Sequence, residues 1–309
     1  MTSPVTLDDL VAGFRETGLK SGDVVLSHSA MRTFGPIEGG ADAVIDALLT
    51  VIGSRGTLVV PTFTFAHEAE DDPVIDPGND RSEMGIITET ARKRPDALRS
   101  TAFRHGFAAI GRRATVITDI DPSLSAFDLR SSFGVMLGLD TQVLLLGVTY
   151  SSSTSHHFAE LVCDVPYRQC IPRQVKVRQA DDSLIEQNMT DYQPKSEGSS
   201  YYGSRGPDFN RLGRMLEDRG DVGRTFIGNA AVRRFPMRAL VDLAQVEAEK
   251  DFNIFRTDVG KAGEFTELDF GQCTMSPAFS DGAGRPNRVQ WCVQDLDQLT
   301  LPGGEAAPK

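Results

Sequence analysis

The sequence has few cysteines, a single tryptophan and no long apolar run. Among its 309 residues are 4 cysteines and 1 tryptophan. The cysteines form no CxxC pair, so we expect free thiols rather than a zinc ribbon or a disulfide framework; they are Cys163, Cys170, Cys273 and Cys292. No segment approaches the ~20 consecutive apolar residues that a membrane-spanning helix needs. We therefore expect no membrane partner.

Positive charge is also scarce, with a formal net charge of −11. This balance argues against a nucleic-acid partner, because binding to phosphate backbones requires clustered positive charge. It suits a cationic or amine-bearing ligand, although taken by itself it is more often explained by an acidic surface that aids solubility. The first residues, MTSPVTLDDLVAGF, lack the basic-then-apolar layout of a secretory signal. That pattern predicts a cytoplasmic protein.

The most informative stretch runs from Val143 to Glu160 and reads VLLLGVTYSSSTSHHFAE. It begins as a short apolar strand, passes through Gly147 into a hydroxyl-rich turn, and ends as a helix. In an open α/β sheet this order brings side chains to the carboxyl edge, where ligands bind. Two of the five histidines, His156 and His157, lie here. We therefore expect any chemistry at this stretch.

His157 and Glu160 are three residues apart, which places both on one face of a helix. The carboxylate can then orient the imidazole, as a general base requires. An isolated pair of this kind is more often a surface contact, but its position after a buried strand favours catalysis. The hydroxyls of residues 151–155 could serve as nucleophiles, oxyanion donors or helix caps. Thr154 and Ser155 are best placed for capping.

The first 60 residues predict one crossover unit. Thr6–Leu19 is an amphipathic helix that Thr6 can cap. Asp23–Leu26 and Gly56–Val60 are strands, and Ala41–Ile52 between them is a helix. Strand, helix and strand in this order predict a right-handed parallel crossover.

Known nucleotide and hydrolase motifs are absent from the sequence. The loop after the first strand matches neither GxGxxG nor the Walker pattern, and no GxSxG elbow occurs. His28 and Ser29 end that first strand and are read either as packed side chains or as ligand contacts. His105, close to a strand predicted at Phe107–Ile110, is equally ambiguous.

Several motifs together resemble the aminoglycoside 3-N-acetyltransferase family, whose members use acetyl-CoA. They are LSHSAMRTFGPIEGGADAVIDALL, GTLVVPTFTF, SEMGIITETARKRPDALRS, HGFAAIG, QVLLLGVTYSSSTSHHFAEL, VPYR, DFNRLGRMLEDRG and VGRTFIGNAAVRRFPMRALVDLA. The resemblance runs in order over roughly residues 5–245.

The resemblance implies an α/β fold with a central mixed, largely parallel sheet flanked by helices and a small β-containing subdomain. We expect an acyltransferase domain over residues 1–250, with the smaller β-containing excursion at about 165–207. A hairpin of Val175–Arg178 and Leu184–Glu186 fits that excursion. Residues 251–309, where hydrophobic patterning weakens, are expected to be an appended segment.

The resemblance also implies site residues. The family's His-x-x-Glu motif, base and orienting carboxylate, falls on His157 and Glu160, and its threonine, an oxyanion donor, on Thr154. His156 stands where the family usually has an apolar residue. The segments expected to line the channel for acetyl-CoA, or another acyl-CoA, contain His28, Ser29, Ala30, Met31, Met84, Gly85 and His105. No metal is expected.

Departures from the family pattern affect the acceptor. RSTAFRHGFAA lacks the family's histidine–proline pair and the serine after His105. A small-molecule amine is expected as acceptor, either an aminoglycoside or an intermediate of natural-product biosynthesis. Alternatives are acyl transfer from an acyl carrier protein and a metal-dependent hydrolase or transferase using His157, Glu160 and perhaps His28, Cys163 or Cys170. A homo-oligomer is compatible with the sequence.

Overall fold

A computed structural model of the chain describes residues 3–195, 205–261 and 266. These residues form eight α-helices and ten strands. The helices are α1 Leu7–Glu16, α2 Gly40–Ile52, α3 Ile86–Arg92, α4 Ala114–Thr118, α5 Ser132–Gly138, α6 Ser155–Val162, α7 Asn210–Asp218 and α8 Met237–Lys250. The strands are β1 Val24–Ser29, β2 Thr57–Pro61, β3 Val74–Ile75, β4 Leu98–Arg99, β5 Phe107–Gly111, β6 Gln142–Leu146, β7 Arg168–Arg178, β8 Leu184–Pro194, β9 Gly223–Ile227 and β10 Ala230–Pro236.

Seven strands form a mixed central sheet in the order β4-β5-β2-β1-β6-β10-β9. The α/β class and the mixed sheet are confirmed, but the expectation of a largely parallel sheet is wrong. Only the central strands β2, β1 and β6 run parallel, and every pair outside them is antiparallel. On one side the reason is local, because a tight Gly228–Asn229 turn joins β9 to β10 as a hairpin.

The parallel pairing predicted for the crossover of β1, α2 and β2 is confirmed, with Leu26 paired with Val59. The helix that precedes this unit, α1, begins with a complete capping box. The Thr6 hydroxyl accepts a hydrogen bond from Asp9 N, and the Asp9 carboxylate accepts one from Thr6 N. The polar cap and the apolar stripe behind it were both readable from sequence.

The central sheet is covered on both faces, which explains why β6 is apolar at nearly every position. Val143 and Leu145 belong to the core beneath α5 to α8, whereas Leu144 and Leu146 belong to the core beneath α1 and α2. A strand buried on both faces loses the alternation of apolar and polar residues. The carboxyl end of β6 is thereby fixed from both sides.

The small β-containing part is a three-stranded sheet in the order β3-β7-β8. The predicted hairpin is present and longer than the sequence suggested, since β7 and β8 pair over eleven residues each, from Arg168 opposite Pro194 to Arg178 opposite Leu184. Its own core consists of Ile75, Phe103, Val175, Val177 and Met189.

The start of the expected appended segment packs on the main body. Phe255 is fully buried, and Arg256 pairs with Pro207 as an isolated bridge. Of residues 251–309, the structure describes 251–261 and 266. The rest of that segment, including Cys273 and Cys292, lies outside the described residues. Cys163 and Cys170 are half-buried thiols. Within the described ranges no helix has the length and hydrophobicity to cross a membrane.

Gly147 makes the turn that directs the chain from β6 toward α6. Its φ is +65°, and a Cβ added here would overlap the Thr33 hydroxyl, which itself donates to Ala30 O at 2.7 Å. Gly220 has a similar φ of +77° but open space around the added atom. Replacing Gly220 with alanine would therefore add backbone strain alone, whereas replacing Gly147 would add both backbone strain and steric overlap.

We predict that Gly147→Ala lowers the free energy of unfolding by about 3 kcal/mol, the sum of left-handed backbone strain and overpacking. The matched control Gly220→Ala should cost only about 1 kcal/mol, the strain alone. Urea denaturation of both variants measures the difference. Equal losses would show that the Thr33 contact does not constrain the turn.

Candidate active site

The two loops that the sequence singled out meet at one edge of the sheet. β1 and β6 are parallel neighbours, with Ser29 paired with Leu146. Ala30 N then donates to Leu146 O at 2.8 Å. The loops that follow these strands therefore leave the same carboxyl edge side by side, which is where open α/β sheets bind ligands.

The first turn of α6 carries the predicted pair. His157 Nδ1 lies 2.6 Å from Glu160 Oε2, the contact expected for residues three apart on a helix. The Glu160 side chain is 2% exposed and that of His157 is 17% exposed. The carboxylate is thus sealed inside the protein, while the imidazole keeps a path to solvent.

Two further residues bind the Glu160 carboxylate, and the sequence reasoning gave neither a role. Tyr167 OH donates to Glu160 Oε1 at 2.9 Å, and Arg168 Nε lies 2.6 Å from Glu160 Oε2. Both follow α6 at the start of β7, in the VPYR motif. That motif was their only signal, because no helical or strand spacing relates them to Glu160.

The neighbours of His157 fix its tautomer. A carboxylate offers only acceptors, so Nδ1 must carry the proton that is donated to Glu160. A guanidinium offers only donors, and Arg168 Nη2 lies 3.5 Å from His157 Nε2. Nε2 therefore presents a lone pair, as a base needs.

Burial and the neighbouring charges together lower the pKa values of both His157 and Glu160. Burial, followed by the Arg168 charge, lowers the pKa of His157, and Glu160 opposes this only in part. Burial alone would raise the pKa of Glu160, but Arg168, His157 and Tyr167 hold it below its ordinary value. At neutral pH the pair is a neutral imidazole beside an ionised carboxylate.

Aromatic rings bring His105 to the same place. Phe127 lies between the two imidazoles, 4.9 Å from the His105 ring and 6.1 Å from the His157 ring, measured between centroids. Burial, with smaller contributions from Arg104, His157 and Arg168, lowers the pKa of His105 well below its ordinary value. His105 is therefore a neutral neighbour of the pair.

Thr154 does not cap α6, and neither does Ser155, so the capping expectation is wrong. Thr154 already has helical dihedral angles, φ −67° and ψ −12°, and makes no side-chain cap hydrogen bond. A cap normally requires an extended residue whose side chain folds back. The hydroxyl oxygens of Thr154 and Ser155 are buried and have no partner among the described residues.

The remaining predicted residues lie in different parts of the fold. His28 is buried, and its Nε2 has no partner within the described part of the chain. Ala30 and Met84 pack on the core that contains Phe127, whereas Met31 packs on the opposite core. Ser29 ends β1 and Gly85 precedes α3.

His156 differs from His157 in its burial and its hydrogen-bond partner, although both rings contact Phe209. Its ring is fully buried and stacks on Phe209 at 4.7 Å, and Nδ1 lies 3.2 Å from Ser153 O. His157 instead packs edge-on against the same Phe209 at 4.8 Å. This placement favours His157 as the base. Across the described residues no three His, Cys, Asp or Glu side chains converge as a metal site.

Comparison with known proteins decides the family. The sequence model of the aminoglycoside 3-N-acetyltransferase family matches residues 26–248, well over half of the chain. The chain belongs to this family. It is an N-acyltransferase that depends on acetyl-CoA.

Relatives support this at the level of sequence and fold. Aminoglycoside N(3)-acetyltransferase IV of Salmonella sp. is 33% identical over 177 residues, covering 57% of this chain and 66% of the relative. Aminoglycoside N(3)-acetyltransferase VII of Streptomyces paromomycinus is 29% identical, covering 77% and 90%. The crystal structure of aminoglycoside acetyltransferase AAC(3)-Xa has a TM-score of 0.70 at 27% identity, covering 80% and 94%.

Buried histidines should make stability depend on pH. Burial lowers the pKa of His28 from 6.5 to about 4 and that of His156 to about 3. Because the unfolded chain binds these protons from pH 6.5 downward and the folded chain does not, acid favours unfolding. We predict a loss of about 1 kcal/mol per histidine between pH 7.5 and pH 5.5.

Urea denaturation of wild type and His156→Phe at the two pH values tests this, since the variant should lose about 1 kcal/mol less. His67→Gln is a control of opposite sign, because the hydrogen bond that His67 Nε2 donates to Asp80 raises the pKa of His67. Its removal should steepen the loss. The same pH dependence in His156→Phe as in wild type would contradict the account.

Proposed function

We propose that the protein transfers the acetyl group of acetyl-CoA directly to an amine of an aminoglycoside, with His157 as general base. Glu160 orients the base and Thr154 stabilises the oxyanion. The observation that carries the proposal is the 2.6 Å contact between His157 Nδ1 and the buried Glu160 carboxylate. Because Nδ1 holds the ring proton in this contact, Nε2 carries the lone pair that accepts a proton. An imidazole held in this way typically contributes ~10²–10⁴-fold as a base.

The transfer needs one base and one oxyanion donor. The amine nitrogen attacks the thioester carbonyl carbon, a C–N bond forms, and His157 Nε2 takes the proton from nitrogen. The carbonyl oxygen becomes an oxyanion that hydrogen-bond donors must stabilise. When the carbonyl is restored the C–S bond breaks, and the sulfur of CoA leaves with the proton that His157 returns.

Thr154 suits the role of oxyanion donor because its hydroxyl is uncommitted. The Oγ1 atom is buried, lies at the start of α6, and bonds to none of the described residues. A buried hydroxyl without a partner costs free energy, roughly 1–3 kcal/mol, unless a ligand satisfies it. The unpartnered His28 Nε2 at the adjacent strand end indicates that the same edge receives a polar ligand.

The acceptor is inferred from the relatives' names and from charge. Those relatives are aminoglycoside N(3)-acetyltransferases, and aminoglycosides carry several amines. The chain has a formal net charge of −11. Its acidic segment begins beside the site, where Glu68 contacts Arg104 at 2.7 Å and Arg104 immediately precedes His105. The exposed carboxylates of Glu70, which contacts His67, and Asp72, which pairs with Lys176, continue that segment. The acidic character of the segment suits a polycationic acceptor.

Acetyl-CoA is the donor used by the family, so it is preferred over a carrier-protein thioester. The carrier protein, the biosynthetic acceptor and the homo-oligomer stay predictions from sequence.

We predict that His157→Ala lowers kcat by about 10³-fold or more because it removes the proposed general base. Glu160→Gln should fall between this variant and wild type, since an amide can still accept the Nδ1 hydrogen bond but carries no charge. Release of CoA thiol, followed with a thiol reagent, measures both rates.

His156→Phe is the matched control, because it removes the neighbouring imidazole but keeps a ring against Phe209. It should retain most of the activity, and isothermal titration should find CoA binding unchanged in His157→Ala. Near-normal turnover by His157→Ala would overturn the assignment of the base.

A further inference from the structure

Arg168 contacts both members of the His157–Glu160 pair. Its Nε lies 2.6 Å from Glu160 Oε2 and its Nη2 lies 3.5 Å from His157 Nε2. The side chain is 5% exposed, and the guanidinium also lies 5.2 Å above the centre of the Tyr192 ring. One rigid, buried cation thus spans the carboxylate and the reactive nitrogen of the base.

The position of Arg168 favours the neutral form of His157 over the protonated form. A guanidinium can donate but never accept, so it is compatible with a lone pair on Nε2. If Nε2 gained a proton, two N–H donors would face each other and two positive charges would lie in a buried site. Like charges at this range disfavour the charged form.

The other charged and titratable groups around His157 do not cancel this effect. Glu160, on the same helix, shares its negative charge with Arg168 and accepts from Tyr167. Arg104 also lowers the pKa of His157, but its charge is balanced by Glu68 and by Asp191, at 2.7 and 2.6 Å.

The two neighbouring histidines, His105 and His156, both have pKa values lowered by burial and add no positive charge at neutral pH. After burial, the Arg168 charge is therefore the largest influence that lowers the pKa of His157.

We infer that Arg168 is a positioning residue that keeps His157 unprotonated until the amine arrives and makes the imidazolium formed in the reaction a stronger acid. This inference rests on the proposed function. The amine proton moves to His157 Nε2 as the C–N bond forms. Because the guanidinium disfavours that proton, it passes readily to the sulfur as the C–S bond breaks. Arg168 itself exchanges no proton.

The test is the pH profile of kcat/KM for Arg168→Met, Arg168→Lys and wild type. Removal of the cation should move the acid limb upward by about one to three pH units, and lysine should restore most of the wild-type position. Arg94→Met is the control, since Arg94 pairs with Asp42 and Asp46 at the surface and should leave the profile unchanged.

A second measurement does not depend on activity. NMR titration of the His157 ring, assigned by its loss in His157→Ala, should show a higher pKa in Arg168→Met than in wild type. An unchanged His157 pKa in a folded Arg168→Met protein overturns the inference, whatever the activity. Full activity of His157→Ala would instead overturn the proposed function, so the two failures are distinguishable.

Discussion

The Glu160 carboxylate is the interaction on which the site depends. Oε2 accepts a hydrogen bond from His157 Nδ1 at 2.6 Å and forms an ion pair with Arg168, whose Nε also lies at 2.6 Å, while Oε1 accepts from Tyr167 OH at 2.9 Å. A carboxylate that is 2% exposed must satisfy its charge within the protein, because an unpaired buried charge is prohibitively costly. The same desolvation that demands these partners also makes each contact strong and directional. The orientation of the base is therefore a consequence of burying this one charge.

The three residues that contact the Glu160 carboxylate come from different segments of the chain. β6, covered on both faces, fixes where α6 begins, and the positive φ of Gly147 turns the chain toward it. The first turn of α6 supplies the histidine, the residue just before β7 supplies the tyrosine, and the first residue of β7 supplies the arginine. The small sheet thus contributes to the chemistry through the base of its hairpin, and Arg104 ties that hairpin to the segment before β5 through Asp191 on β8.

Local patterns predicted the local parts well. The capping box at Thr6, the crossover through α2 and the contact between His157 and Glu160 all follow from residues close in sequence. Strand directions at the sheet edges did not, because they depend on which distant strand each one pairs with, as β5 does with β2. The roles of Arg168 and the aromatic partners were missed for the same reason. Capping by Thr154 failed because Thr154 itself has helical dihedral angles, and the extended residue before the helix is Ser153.

The most direct test of the account is the product. Purified protein should be incubated with acetyl-CoA and a panel of aminoglycosides, and the products analysed by mass spectrometry and NMR. We expect one acetyl group on an amine nitrogen of at least one aminoglycoside, formed together with an equal amount of free CoA thiol. Release of thiol into water with no acetylated amine, or acetylation on oxygen, would contradict direct N-acyl transfer.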